Sequence, residues 1–245
     1  MKQIIKRNEP ARLRDWRKKT TKFPDAHYDN HGFPVADVNA ALVAEQGGLC
    51  AYTMIRITEA TSHNEHLKPR SVSKNEDPPK YSETTDYQNL VACYPNTSTS
   101  DRKCPFGADT RGNVWDPIMM ITPLMGNCEV RFTFNAQGEI AHASDADEAA
   151  KWTIGTLRLN DGELQALRRQ AVVSAGLNPA HSSALNARQA RELAERICNR
   201  SAKGLFPPFC VAIRQVAIEY ADKLEARKRK REFVRQSKVN KGKQK

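Results

Sequence analysis

No apolar run in this chain approaches the roughly 20 residues that cross a bilayer. The stretch Met1-Lys2-Gln3-Ile4-Ile5-Lys6-Arg7 lacks the long apolar core of a secretory signal. No membrane association is therefore expected, and the expected location is cytoplasmic. In that compartment the six cysteines (50, 93, 104, 128, 198 and 210) are expected as reduced thiols or metal ligands, not disulfides. No internal repeat is present, so a repeat architecture is not expected. Acidic residues are scarce at both ends. Residues 1–22 hold nine Lys/Arg against Glu9 and Asp15, a charge of +7, and residues 223–245 hold eleven against Glu225 and Glu232, a charge of +9. Out of a total of +11, the stretch 23–222 is left at −5. Basic ends on a mildly acidic body suit a polyanion, because each neutralised phosphate releases condensed counterions. A solubilising tail and contacts to an acidic protein are the alternatives.

What is present is a chain of 245 residues, 39% apolar, enough to bury the core of one large domain or two small ones. Residues 1–35 read as an irregular basic arm broken by Pro10, Pro24, Gly32 and Pro34, docked by Leu13 and Trp16. Asp37 is expected to cap a helix running to Gln46, with Val38, Leu42 and Val43 on its apolar side and Gly47-Gly48 as its stop. Residues 49–58 suggest a short strand or hairpin, 71–85 a surface loop, 86–93 the start of a helix, and 95–117 a loop. A strand over Glu129–Phe134, a turn at 135–138 and a second strand from Glu139 follow. Periodicity and the breakers Gly162, Pro179 and Pro207-Pro208 then predict helices over about 146–158, 161–175, 186–200 and 208–235, the last continuing as a charged extension.

The residues that carry chemistry lie in His63-Asn64-Glu65-His66-Leu67-Lys68-Pro69 and Asp86-Tyr87-Gln88-Asn89-Leu90. Phosphodiester hydrolysis needs a metal ligand, a base that takes a proton from water, and a group that holds the base. Glu65 is a hard oxygen donor suited to Mg²⁺ or Mn²⁺. His66 titrates near working pH and can be the general base. Asn89 can hydrogen-bond backbone near the imidazole and fix the ring. In a regular strand Glu65 and His66 point to opposite faces, so a bend or a strand end is required between them. The alternative is a pair of polar surface residues in a loop rich in Lys and Pro.

Glu45-Gln-Gly-Gly-Leu-Cys-Ala-Tyr-Thr-Met54 followed by His63 to Arg70 resembles the HNH nucleases of the Septu (PtuB) type, found in bacterial anti-phage defence and in some retron systems. The order of further pieces is similar over roughly residues 1–170. These are Asn8-Glu9-Pro10 with Leu13 and Trp16-Arg17, Asp86 to Cys93, Asp109-Thr110-Arg111-Gly112-Asn113, and Trp152 to Arg168. The resemblance implies an α+β, mainly helical fold, with a ββα-metal finger embedded in a helical body with basic termini. It divides the chain into a basic arm (1–35), the HNH region (36–117), a short hairpin with a helical region (118–222) and a basic tail (223–245). It implies an endonuclease using Mg²⁺ or Mn²⁺, with His66, Asn89 and Glu65 catalytic and a PtuA-type ATPase as partner. In some systems a retron reverse transcriptase with its RNA and DNA is a further partner. The substrate is DNA or RNA, tRNA included. The alternative is a catalytically impaired HNH-derived subunit that binds nucleic acid or bridges partners.

Two departures from that pattern matter. The family's Cys-x-x-Cys is here Cys50-Ala51-Tyr52-Thr53, so Cys50, Cys93 and Cys104 make three thiols without a fourth. A closed structural zinc site is four-coordinate, and such a site is therefore not expected. The last metal ligand falls in register on Ala108; Asp109, one residue on, is the nearest oxygen donor, and His63 is the other candidate beside Glu65. The candidate phosphate contacts are Lys68, Arg70 and Arg111, together with the run Arg227-Lys228-Arg229-Lys230-Arg231.

Overall fold

A computed structural model describes residues 1–96, 103–178, 180 and 183–242. It is an α+β fold with eight α-helices and two small antiparallel sheets among the described residues. The N-terminal arm is not irregular: α1 spans Ala11–Thr20. Pro10 precedes the first turn, where its missing N–H costs nothing. Leu13, Trp16 and Thr20 recur at helical spacing and are buried. Trp16 donates its indole N–H to the His31 carbonyl at 2.8 Å, so the expected anchoring by Leu13 and Trp16 is what the structure has.

α2 spans Val35–Glu45, starting three residues earlier than a cap at Asp37 implies, which places Asp37 in the first turn. It ends at Gly47 and Gly48, with φ of +61° and +69°. A Cβ on Gly47 would lie 2.6 Å from the Phe206 ring, so the stop also serves close packing. Residues 49–58 form a tight hairpin-like turn, with the antiparallel bridge Leu49–Arg56 and bonds from the Cys50 and Ile57 N–H groups to the carbonyls of Ile55 and Gly48; of the two expected forms it is the hairpin, without an extended strand.

The central sheet pairs β1 (His63–His66) with β2 (Leu90–Cys93), antiparallel, with His63 opposite Cys93 and His66 opposite Leu90. The helix expected over 86–93 is therefore a short 3₁₀ turn, Tyr87–Asn89, leading into a strand. The reason is burial on both faces: all four β2 residues are buried, so the run shows no alternation to read. The loop expected over 71–85 contains α3 (Arg70–Lys74) and a 3₁₀ turn at Tyr81–Thr84. Within the expected loop at 95–117, residues 97–102 lie outside the described ones, and Ala108–Arg111 forms the one-turn α4.

The second sheet, β3 (Phe132–Phe134) with β4 (Ile140–His142), is the expected hairpin trimmed at its start. Helices α5 (Glu148–Thr156), α6 (Gly162–Ser174), α7 (Ala187–Arg196) and α8 (Cys210–Gly242) follow the predicted order. Gly162 opens α6 behind its Asp161 cap, and the breaker Pro179 lies outside the described residues. α7 packs on the first part of α8, whose last buried residue among those with described side chains is Ala221. From Asp222 to Gln236 no residue of α8 is buried. At 1.5 Å per residue the part beyond Ala221 is about 30 Å long. It carries Arg227 to Arg231, and five consecutive residues at 100° steps surround the helix, making it a charged rod and not a stripe.

One buried ion pair ties the N-terminus to this body. Lys6 Nζ lies 2.8 Å from Glu45 Oε1. Lys6 also donates to the Leu90 carbonyl at 3.0 Å and sits 3.8 Å from the Tyr87 ring centre. The other Glu45 oxygen accepts the Arg7 backbone N–H. Removing one partner of a buried pair leaves an uncompensated charge. Glu45→Ala is therefore expected to cost about 3–5 kcal/mol of stability, read as a lower urea midpoint. A decrease below about 1 kcal/mol would mean that Lys6 reaches solvent as easily as it reaches Glu45.

Candidate active site

All four residues of β1 line one cavity of about 710 Å³. A strand sends successive side chains to opposite faces, so a cavity touching four in a row must follow the strand's edge. β1 pairs with β2 alone, which leaves its other edge without a strand among the described residues. His66 is the last residue of β1, the strand end that a neighbouring carboxylate and imidazole require.

Glu65 is held from two sides. One carboxylate oxygen accepts from the Arg111 guanidinium, and the other lies 3.6 Å from His63 Nε2. Burial pushes the Glu65 carboxyl up, but His63 and Arg111 outweigh it and hold it below the usual range. His63 answers in the opposite direction: burial lowers it, yet Glu65 and the Pro95 carbonyl, which pairs with Nδ1, raise it overall. Arg111, expected as a phosphate contact, is only 2% exposed. Its Nη1 donates to the Leu67 carbonyl at 2.6 Å, and its Nη2 to the His66 carbonyl at 2.6 Å as well as to Glu65. It reaches them from the end of α4.

The His66 imidazole is buried. Its Nε2 lies 2.8 Å from the Thr84 carbonyl oxygen. A carbonyl only accepts, so Nε2 carries the proton and Nδ1 is the ring's proton acceptor. The Tyr28 ring meets the imidazole edge-on at 4.8 Å. Burial drives the His66 pKa down to about 4, so the ring is neutral at pH 7. Asn89 does not line the cavity. Its amide accepts from the Lys68 N–H at 2.8 Å and donates to the Lys68 and Glu83 carbonyls, both at 3.1 Å. These are backbone positions two residues beyond His66 and one residue before Thr84. Hydrogen bonds between Asn89 and backbone near the ring, as the sequence suggests, are thus present, and none of them is to the ring itself.

Asp109 lines the same cavity, but its Oδ2 accepts the Cys104 N–H at 3.0 Å. Among the described residues no three His, Cys, Asp or Glu side chains form a group able to hold a metal ion. His63 and Glu65 are thus brought together as a pair, with Asp109 in the wall. Cys50 and Cys93 are hydrogen-bond partners, while Cys104 makes no three-thiol group with them. Burial raises the Cys50 thiol, but hydrogen bonds from Cys93, Thr53 and the Tyr94 N–H outweigh it and leave it at about 6. Thr53, where the family pattern has a second cysteine, is thus a hydrogen-bond partner of Cys50.

Of the expected phosphate contacts, Lys68 is engaged by Glu76 and, at 2.5 Å, by Glu83. Arg70 lines the cavity, paired with Asp29 and 5.1 Å from the Tyr28 ring centre. Arg227 to Arg231 stand on α8 beyond Ala221. Three cavity residues escape a reading of the sequence. Asn64 donates to the Val35 carbonyl at 3.0 Å and accepts from Asn39 at 3.0 Å; both amides are buried. Asn64 sits inside the His63–His66 motif at the position alternating with His66, which is a usable signal. Asn39 and Tyr28 give none, because only the folded chain brings them there.

The low His66 pKa has a consequence for stability. The unfolded imidazole takes up a proton below about 6.5, and the folded one only near 4. In that window the unfolded state binds more protons, so stability falls as pH falls. A gap from 6.5 to about 4 corresponds to about 3 kcal/mol at the acid end. His66→Gln, which keeps a donor for Thr84, is expected to flatten the stability profile between these values. Parallel wild-type and variant profiles in urea titrations at stepped pH would show that His66 protonates as easily folded as unfolded.

No protein-family model matches this chain and no curated protein matches it, so a reading of the site stands on its geometry and on the resemblance of its motifs.

Proposed function

We propose that the chain is a metal-dependent endonuclease of the HNH type that hydrolyses nucleic-acid phosphodiester bonds, with β1, β2 and α4 as its ββα unit. The observation that carries this reading is that His63, Glu65, His66 and Asp109 all line one cavity, with the His66 tautomer set by Thr84. Glu65 Oε2 and His63 Nε2, 3.6 Å apart, are a donor pair for Mg²⁺ or Mn²⁺, ions that keep waters and phosphate oxygens in their remaining positions. When bound, such an ion supplies charge neutralisation at the scissile phosphate and the departing oxygen. His66 takes the proton of the attacking water at Nδ1, since Nε2 is committed to Thr84. Arg111 keeps Glu65 ionised and aimed, and Asn89 holds the backbone around the imidazole. Arg70 at the wall is the cation placed to meet a phosphate, exchanging Asp29 for it. Structural zinc has no part in this reading.

The resemblance of the motifs supports an anti-phage role of the Septu or retron kind beside an ATPase partner. No described helix is long and apolar enough to cross a membrane. A second reading, a binding subunit without catalysis, is favoured by one observation: the Arg111 guanidinium already neutralises Glu65.

Cleavage of supercoiled DNA, single-stranded DNA and tRNA with Mg²⁺ or Mn²⁺ decides between them. His66→Ala is expected to lower the rate by about 10²–10⁴ while the far-UV circular dichroism is kept. Glu65→Ala is expected to lose more activity than Asp109→Ala. Wild-type turnover in His66→Ala removes His66 from the mechanism. Full activity in Asp109→Ala with inactivity in His63→Ala assigns the second ligand to His63. Binding without cleavage by the wild-type chain, partner present, supports the second reading.

The tail contains no His and no carboxylate beyond Glu232 from Arg227 onward, so it supplies neither base nor metal ligand. Deleting 227–245 is expected to weaken nucleic-acid binding and flatten its salt dependence. The slope should fall by about 0.9 for each duplex phosphate that the tail neutralises. An unchanged slope together with failure to bind the protein partner would assign the tail to assembly.

A further inference from the structure

The joint between α7 and α8 brings two thiols together. α7 ends at Arg196, Cys198 follows two residues later, and Cys210 is the first residue of α8. The two helices pack as a hairpin, so the ends of the connecting loop meet. Cys198 packs there against the buried cluster that contains Cys210, and the two thiols act on each other electrostatically. Their exposures differ: Cys210 is fully buried, and Cys198 is the one cysteine of the six that is not buried. Cys50 and Cys93 are another facing pair, but both are enclosed, at 2% and 0% exposure.

We infer that Cys198 and Cys210 are a peroxide-oxidisable thiol pair, a modification site that closes to a disulfide across the α7–α8 joint. This inference is independent of the nuclease reading. The reactive form of a thiol is the thiolate, and redox-responsive cysteines are accessible, acidic and placed beside a resolving thiol. The Cys210 thiol brings the Cys198 thiol down to about 7 against the effect of burial, with Arg214 and Lys2 helping and Glu129 opposing. The Cys198 thiol, with burial, pushes Cys210 up, which keeps it protonated as the resolving partner.

The chemistry balances with hydrogen peroxide as the oxidant. The Cys198 thiolate attacks one peroxide oxygen, the O–O bond breaks, and with one proton the other oxygen leaves as water. Cys198 becomes a sulfenic acid. The Cys210 sulfur then attacks the Cys198 sulfur, its proton leaves with the hydroxyl as a second water, and the S–S bond forms. The two sulfurs lose two electrons and the peroxide gains them. The loop so closed is not free chain. Arg200 donates to the Ala44 carbonyl at 3.1 Å, and the Phe206 N–H donates to Gly47 at 3.0 Å. Oxidation therefore closes covalently the loop that seats the end of α2.

The test uses the full chain. Native protein is treated with hydrogen peroxide, quenched with acid, alkylated and digested with trypsin, which releases residues 197–200 and 204–214 as separate peptides. The expected product is these two peptides linked, lighter by two hydrogens than their sum. It should be absent before peroxide, removed by dithiothreitol, and absent in Cys198→Ser, a substitution at a half-buried position. Before oxidation, native Cys198 is expected to react with iodoacetamide at least about tenfold faster than the other five cysteines. Over-oxidation of Cys198 to sulfinic acid without the link overturns the inference. So does prior linkage of another pair, or alkylation of Cys198 no faster than of the buried thiols.

Discussion

The buried Arg111 guanidinium is the constraint on which the site depends. It stands on a one-turn helix and grips three acceptors around the end of β1: the Leu67 carbonyl, the His66 carbonyl and the Glu65 carboxylate. Its two terminal nitrogens meet these three acceptors, which offsets the cost of burying the charge, while its buried Nε has no hydrogen-bond partner among the described residues. The short helix and the strand end therefore cannot shift independently. The same contact fixes the charge state of Glu65. Desolvation alone would favour the neutral acid, yet Arg111 and His63 hold the ionised form. Glu65 is thus a carboxylate with one oxygen taken and the other turned toward His63. A cation entering the cavity meets an oriented donor pair, and it shares Glu65 with a guanidinium already there.

The imidazole of His66 is governed by a different frame. Thr84 holds Nε2, Tyr28 closes one edge, and Asn89 pins the backbone on both sides through Lys68 and Glu83. Arg111 touches this half of the motif only through the His66 carbonyl. The backbone at the strand end is thus shared by both frames, while the imidazole ring is held by the second. The base is fully in its neutral form at pH 7, but burial also makes it a weak one. An anion brought beside it would raise its proton affinity, so under the nuclease reading the substrate phosphate completes the base.

Legibility follows the physics of each element. α2 and the last four helices are readable because their buried residues recur at 3 and 4 and their stops are Gly, Pro or capped by Asp. α1 shows the same recurrence at Leu13, Trp16 and Thr20, but the breakers around it mask the signal. β2 does not read as a strand because Leu90 to Cys93 is buried on both faces and carries no alternation. In the site, His63, Glu65 and His66, close in sequence, are legible, and so are the backbone hydrogen bonds of Asn89. Arg111 is legible as part of the site, but as a phosphate contact and not as a buried clamp. Its carboxylate partner lies 46 residues away, and charge alone does not reveal burial. Tyr28 and Asn39 reach the cavity through packing between distant segments, which one sequence cannot display.

The distribution of charge separates capture from chemistry. Around the cavity most cations are already paired within the chain: Arg111 with Glu65, Arg70 and Lys74 with Asp29, Lys68 and Lys80 with Glu76. The wall also carries Glu59 and Asp109. A site balanced in this way exerts little long-range pull on a polyanion. Exposed positive charge is concentrated elsewhere. On and just beyond α1, Arg12, Arg14, Lys18, Lys19 and Lys22 are exposed, and the far part of α8 adds Arg227, Arg229, Lys230 and Arg231. Attraction that depends on counterion release scales with the number of phosphates met, not with the strength of any one contact. Under the nuclease reading the ends of the chain therefore set how tightly nucleic acid is held, and the balanced cavity sets which phosphate reacts. Adding bare charge at the cavity would not improve the second property, because an extra cation there would compete with Arg111 and His63 for Glu65 and loosen the constraint that orients it.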